Sequence, residues 1–201
     1  MRGWGTMRKL FVLALLPMLA SFSAHAQLLD VLTAPKTLID RAIEARSAGD
    51  IAKDNEIVVK VNAIMGKMGT VKASTEIYEQ RLLITGIFDD KALYDRFERE
   101  VRQVQGVKKL YWHVSYLAKD DSRRKSLLDW GDVTVMAAKA QGRLVGTAGV
   151  ADVNFRTTAD AYGTVYLLGR ARSGEEGKKA LAQVKDGTGV RKVVDYSVVR
   201  P

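Results

Sequence analysis

The chain contains no cysteine, two histidines and three prolines among its 201 residues. Without cysteine there is no disulfide framework, thiol nucleophile or thiolate metal site, so apolar burial alone must hold the fold together. One histidine, His25, lies in an N-terminal segment with the features of an export signal, which leaves His113. A single imidazole between Trp112 and Val114 in a strand-like run has no partner at hand for triad chemistry, and no second histidine for a metal site. Asp120-Asp121 and Glu175-Glu176 are adjacent carboxylates whose side chains point in different directions. A solvated linker and a helix N-terminus account for them. Gly142, Gly146 and Gly149 match neither the dinucleotide nor the P-loop spacing, and they read as a mobile loop over Gly142–Gly149. The G-x-x-G clamp of KH-type RNA binders is missing too. The inventory argues against an enzyme, and no metal, cofactor or nucleic acid is expected.

Long apolar runs are also lacking. The longest lies within Leu10–Leu19, too short for the roughly 20 residues that cross a bilayer, and Pro17 interrupts it. It follows Arg8 and Lys9 and leads into small residues that end in Ala24-His25-Ala26. That three-part pattern is a signal peptide over 1–26, cleaved after Ala26. No cysteine follows to carry a lipid, so a non-lipidated periplasmic protein is expected.

Positive charge is in surplus. The formal net charge is +9, and Arg2, Arg8 and Lys9 of the signal account for three, leaving +6. Such a surplus attracts anionic surfaces, although charge of this size also serves solubility.

The informative feature is an internal repeat at a shift of 83 residues. Gly86 falls on Gly169 and Gly106-Val107 on Gly189-Val190, with Thr75 on Thr158, Val101 on Val184 and Lys109 on Lys192. In the first copy Ile57, Val58, Val61, Ile64 and Met65 recur at helical spacing, and Gly66 helps to end that helix. Val71, Ala73, Thr75 and Ile77 alternate with polar residues as a half-buried strand. A turn at Glu79-Gln80 leads to a strand over Arg81–Phe88. Asp89 or Asp90 can cap a helix with the stripe Leu93, Phe97, Val101 and Val104, and Val107–Leu117 closes the unit. The second copy repeats the order: a helix capped by Asp132 and running to about Gln141, strands Val153–Ala159 and Thr164–Gly169, helix Glu175–Lys185 and strand Val190–Val199. Its Gly177 and few apolar contacts predict the weaker core.

The expected fold is therefore α+β: two tandem αββαβ domains, each with two helices on one face of a three-stranded mixed sheet. Gly106 and Gly189 fit sharp helix-to-strand turns, and Gly86 and Gly169 fit bulges or close helix approaches within strands. The division reads as signal peptide 1–26, N-terminal helical segment 27–51 with a helix over Lys36–Ala48 docked on a domain, domain 52–117, charged linker 118–128 and domain 129–201.

The Asp-led helix, the hairpins ending Leu83-Ile84-Thr85-Gly86 and Leu167-Leu168-Gly169, the crossover helix and the following Gly-Val-Lys/Arg-Lys resemble the BON domain family. The resemblance covers roughly Lys53–Leu117 and Asp129–Val199. It implies an envelope location and phospholipid binding linked to envelope integrity under osmotic stress. In a dual-BON member of the family, an aromatic residue on the first helix of the second domain enters the lipid interface. Trp130 falls near that place, although Trp130-Gly131-Asp132 departs from the family's Asp-x-Trp order. Trp130, Val133 and Met136 are about a turn apart and are expected to form an apolar edge, with Lys139, Arg143, Arg123, Arg124 and Lys125 as its basic rim. The expected partner is an anionic phospholipid surface. The rival is a protein-interaction adaptor that engages an envelope protein.

Overall fold

The computed structural model describes residues 44–69 and 72–201. The expected signal peptide, and residues 36–43 of the expected helix Lys36–Ala48, lie outside the described residues. Ser47 accepts a hydrogen bond from Asp50 N at 3.0 Å and so starts helix α1, Ala48–Lys67, inside the segment assigned to 27–51. Strands β1 (Ala73–Tyr78) and β2 (Arg81–Phe88) follow. Of the two candidate caps, Asp90 takes the role by accepting from Leu93 N at 3.0 Å, and α2 runs Lys91–Arg102 into β3, Lys109–Tyr116. A 3-10 turn at Ser122–Ser126 precedes α3 (Trp130–Val145), and a second at Asp152–Asn154 precedes β4 (Phe155–Ala159). The chain ends with β5 (Thr164–Ala171), α4 (Gly174–Lys185) and β6 (Lys192–Val199).

The strands form two three-stranded mixed sheets, ordered β1-β2-β3 and β4-β5-β6. In each sheet the first two strands are antiparallel and the last two parallel. The parallel registers obey the sequence repeat: Arg81 faces Lys109, and 83 residues on, Thr164 faces Lys192. The antiparallel registers differ by one. Ala73 opposes Gly86, but Phe155, not Arg156, opposes Gly169. A one-residue slip exchanges the two faces of a strand. Thr158 therefore occupies the place of Glu76, and the sequence match of Thr75 to Thr158 does not hold in space.

Strand alternation divides each half into two surfaces. Ile77, Leu82, Ile84, Phe88 and Val114 share a buried cluster with Ile57 and Val61 of α1 and Phe97 and Val101 of α2. Phe155, Ala159, Val165, Leu167 and Ala171 do the same with Val133, Met136, Ala140 and Leu144 of α3 and Ala180 and Val184 of α4. The opposite strand faces meet each other. Tyr78 and Leu83 of the first sheet are buried against Tyr166 and Leu168 of the second, with Tyr111 and Tyr196 at the margin, stacked 3.9 Å apart. The seam is polar as well as aromatic. Thr85 Oγ1 donates to Ala159 O at 2.9 Å, and Arg81 spans the gap with bonds to Tyr196 O at 2.8 Å and Gly169 O at 2.7 Å. Glu79 gathers Arg81, Arg170 and Arg200 at one end of it.

Several expectations change at this level. Helix α3 is capped by Asp129, which accepts from Asp132 N at 2.8 Å, so Asp132 lies inside the helix. The same helix continues to Val145 and absorbs Gly142, which leaves no glycine loop over Gly142–Gly149 as a whole. The segment 118–128 is tied down: Arg124 donates to Leu117 O, Leu128 N donates to Ala161 O at 2.9 Å, and Leu127 and Leu128 pack on the second core. That core is not starved of partners, since it also recruits Ile87 and Leu117 from the first half. Gly86 and Gly169 mark the close approach of the neighbouring strand, not of a helix. A Cβ at Gly86 would stand 2.6 Å from Lys72 O, and one at Gly169 would collide with Asn154 O. Gly106 and Gly189 have φ of 95° and 84°, the left-handed turn their positions suggested.

Candidate surface-binding site

Asp129 sets the start of α3 and thereby the direction of Trp130, Val133, Met136, Lys139 and Arg143. Val133 and Met136 point into the second core, at 1% and 9% exposure. They cannot form an exposed apolar edge, because the helix turns its apolar stripe towards the sheet it covers. Arg143 is also engaged, with Nε donating to Gln183 O at 2.8 Å and Nη2 to Val184 O at 3.3 Å near the end of α4. Lys139 is exposed on the same helix. Of the proposed wedge only Trp130 remains at the surface, half-buried at the first position of α3 and packed beside the core.

Trp130 has different neighbours from those expected. With Ile87, Leu127, Leu128, Ala161, Lys72, Arg124 and Asp129 it lines a hollow of about 210 Å³. Arg123 and Lys125 are exposed on the adjoining 3-10 turn, and Asp121 holds Arg123 at 2.6 Å. Those hydrogen bonds from Arg123 are what hold the Asp121 carboxyl down at about 2. Arg124 is half-buried by its bond to Leu117 O and lies 4.0 Å from Asp89. The β4–β5 turn comes to the same end of the molecule, where Ala161 O accepts from Leu128 N at 2.9 Å. Arg191, just ahead of β6, donates its backbone N to Gly163 O of that turn and its Nη1 to Ser126 O at 3.3 Å. Tyr162 stands on that turn at 42% exposure.

The structure thus brings Trp130, Arg123, Arg124 and Lys125 together. It separates them from the core residues Val133 and Met136 and from Arg143. It adds Lys72, Tyr162 and Arg191, which the sequence reading passed over. Tyr162 carried a signal of its own, an aromatic residue beside Gly163 in a turn where burial is not expected. Lys72 and Arg191 reach this end only because β1 and the β5–β6 crossover bring them there.

His113, left aside as a catalyst, lies in the seam. Its Nε2 is 2.8 Å from Tyr196 Oη, and its ring lies 4.4 Å from that of Tyr166. Burial holds the imidazole below its ordinary range, against the pull of Asp160. Tyr166 is held in turn by its hydroxyl, which donates to Asp160 Oδ2 at 2.7 Å. Among the described residues no group of acidic, histidine or cysteine side chains has metal-binding geometry, and no helix is long and apolar enough to cross a membrane.

Comparison with known proteins gives similarities of three kinds, to solved structures, to a protein sequence and to a family model. CdsD, a structural protein of the type III secretion system of Chlamydia trachomatis, aligns over 73% of this chain and 93% of its own, with 10% identity and a TM-score of 0.32. A structure of the CdsD C-terminal domain aligns over 72% and 98%, at the same identity and TM-score. An uncharacterised protein from the gshII 5′ region of Anaplasma centrale is 26% identical over 144 residues, 71% of this chain and 92% of that protein. Residues 132–201, which begin in the first turn of α3 after Trp130 and take in the second sheet and α4, match the model of the BON domain.

Proposed function

We propose that this protein is a non-enzymatic component of the cell envelope that binds anionic phospholipid at a membrane surface and supports the envelope under osmotic stress. In this reading it is exported to the periplasm, and its two αββαβ halves are BON-like units in tandem. The observation that carries the proposal is the end of the molecule where Trp130 and exposed Tyr162 stand among Lys72, Arg123, Lys125 and Arg191. Aromatic rings with polar edges partition into the headgroup layer, and basic side chains around them add about 1 kcal/mol each near an anionic surface. The nearby acids weaken this attraction little: Asp129 is spent as a helix cap, and Asp121 is paired with Arg123. The match of residues 132–201 to the BON domain supports the same reading.

Co-sedimentation with liposomes tests it. Vesicles containing phosphatidylglycerol should retain the protein and phosphatidylcholine vesicles should not. Retention should fall with salt and drop several-fold in Trp130→Ala combined with Tyr162→Ala. Equal recovery with both vesicle types would refute the proposal.

One observation favours the adaptor reading. Strands β3 and β6 are each an edge of their sheet, a position that suits an added strand from an envelope protein. A stoichiometric protein partner retained by the double variant would support it.

A further inference from the structure

A second site lies where β1 of the first half meets β4 of the second. Alternation along β1 puts Glu76 on the seam face, beside Tyr78, and the one-residue slip of β4 puts Arg156 on the seam face of the other sheet. With Ala137, Ala138 and Gln141 of α3 and with Thr157, these two residues line an open cleft of about 400 Å³. Thr157 and Gln141 are engaged, since Thr157 Oγ1 donates to Ala137 O at 3.1 Å and Gln141 Nε2 reaches Phe155 O at 3.5 Å. Arg156 is fixed by its Nη1, which donates to Val153 O at 2.9 Å and Phe155 O at 2.8 Å. Its Nε and Nη2 have no acceptor among the described residues, and Glu76 has neither a hydrogen bond nor an ion pair there.

An unpaired, half-buried carboxylate beside a guanidinium that it does not touch is an arrangement that costs folding free energy. Interfaces between units are also where small ligands most often bind. The opposite charges stand apart across the cleft, ready to be bridged. We propose that the Glu76–Arg156 cleft binds a small zwitterion, its ammonium against Glu76 and its anionic group against Arg156.

This site is separate from the Trp130 end and does not depend on lipid binding there. Free amino acids and the phosphoethanolamine headgroup both have this chemistry. Burial pushes the Glu76 carboxyl up to about 7, with Arg156 pulling the other way. Arg46, Glu44 and Tyr78 are the other charged or titratable groups around the guanidinium. The site should therefore take an ammonium more tightly at pH 8 than at pH 6, as Glu76 ionises.

Calorimetric titration of the full chain with glycerophosphoethanolamine and with β-alanine tests the proposal, with ethanolamine as a cation-only and glycerol 3-phosphate as an anion-only control. At least one zwitterion should saturate the protein and bind tenfold or more tightly than either control. Glu76→Gln, with folding checked by circular dichroism, should lose that binding by tenfold or more, and Arg156→Lys should weaken it. Preference for the phosphodiester would identify a lipid headgroup as the source, and preference for β-alanine a free amino acid; either supports the site. No saturable binding of either zwitterion by the folded protein, or unchanged binding in Glu76→Gln, would overturn it.

Discussion

The two halves run through the same elements and make their hairpins differently. In the first, Tyr78 opposes Arg81 across the two-residue turn Glu79-Gln80, with φ of 52° and 60° and no glycine to ease it. That turn type wants positive φ at both positions and ordinarily recruits asparagine or glycine. The support comes from α1. Asp54, 1% exposed, accepts from Glu79 N at 2.9 Å, from Gln80 N at 2.7 Å and from Gln80 Nε2 at 2.8 Å. Arg46 neutralises it at 3.0 Å. In the second half the turn has one more residue and ends on Gly163 with φ of 79°. Its organiser is Asp160 in the hairpin itself, which accepts from Tyr162 N at 2.9 Å and Thr164 N at 3.0 Å. A strained turn is held from outside; a turn with the right glycine needs only a local carboxylate. The extra residue also shifts β4 by one place, and that shift carries Arg156 and Thr158 to the seam.

The largest effect that would sharpen this contrast is at the slipped strand. Gly169→Ala puts a methyl against Asn154 O at a φ of 154° and should cost about 4 kcal/mol or more, enough to unfold a marginal domain. A wild-type melting temperature would show that β4 can move away, and that the slip is not locked.

Asp54→Ala comes next. It strips a buried turn of its acceptors and leaves Arg46 facing Glu44 alone, so a loss of roughly 3 kcal/mol is expected by chemical denaturation. Asp160→Ala should cost less, about 2 kcal/mol, because Gly163 takes the positive φ of its turn without strain, although Thr164 N and the Tyr166 hydroxyl lose a buried acceptor. Equal losses would remove the distinction between external and local support.

Across the seam the expected effects are smaller and depend on pH. Glu76, with an ordinary value of 4.5, is raised to about 7 in the fold. The folded state therefore holds its proton more strongly, and stability falls as pH climbs between those two values. Glu76→Gln should stabilise the protein by about 1–3 kcal/mol at pH 8 and by little at pH 4. His113 has the opposite sign. Its folded value lies below 6.5, so the unfolded chain binds the proton more readily and stability falls as pH drops below that point. His113→Gln should flatten the acid limb of the stability curve by about 1 kcal/mol or less. A pH profile unchanged in both variants would mean that the seam is wetter than its packing indicates.

Much of the architecture was legible before any coordinates. Helical spacing located α1 and α2, alternation located β1, and the paired glycines gave the 83-residue offset that relates the two parallel strand pairs. The site was less legible. Val133 and Met136 have the hydrophobicity of a membrane wedge and of a core alike, and only the cap at Asp129 and the covering sheet distinguish the two. Alignment by identity set Thr75 on Thr158 and so hid the slip that a three-residue turn imposes.

What the sequence determined by itself was the order of elements and the spacing of the apolar residues along each. Those depend on residues two to four positions apart, whose chemistry can be read along the chain. The tertiary structure alone decided that the two free sheet faces close on each other, burying Tyr78 against Tyr166 and setting Glu76 near Arg156. Residues some 80 positions apart meet through the fit of whole surfaces, and no local pattern specifies which surface will meet which.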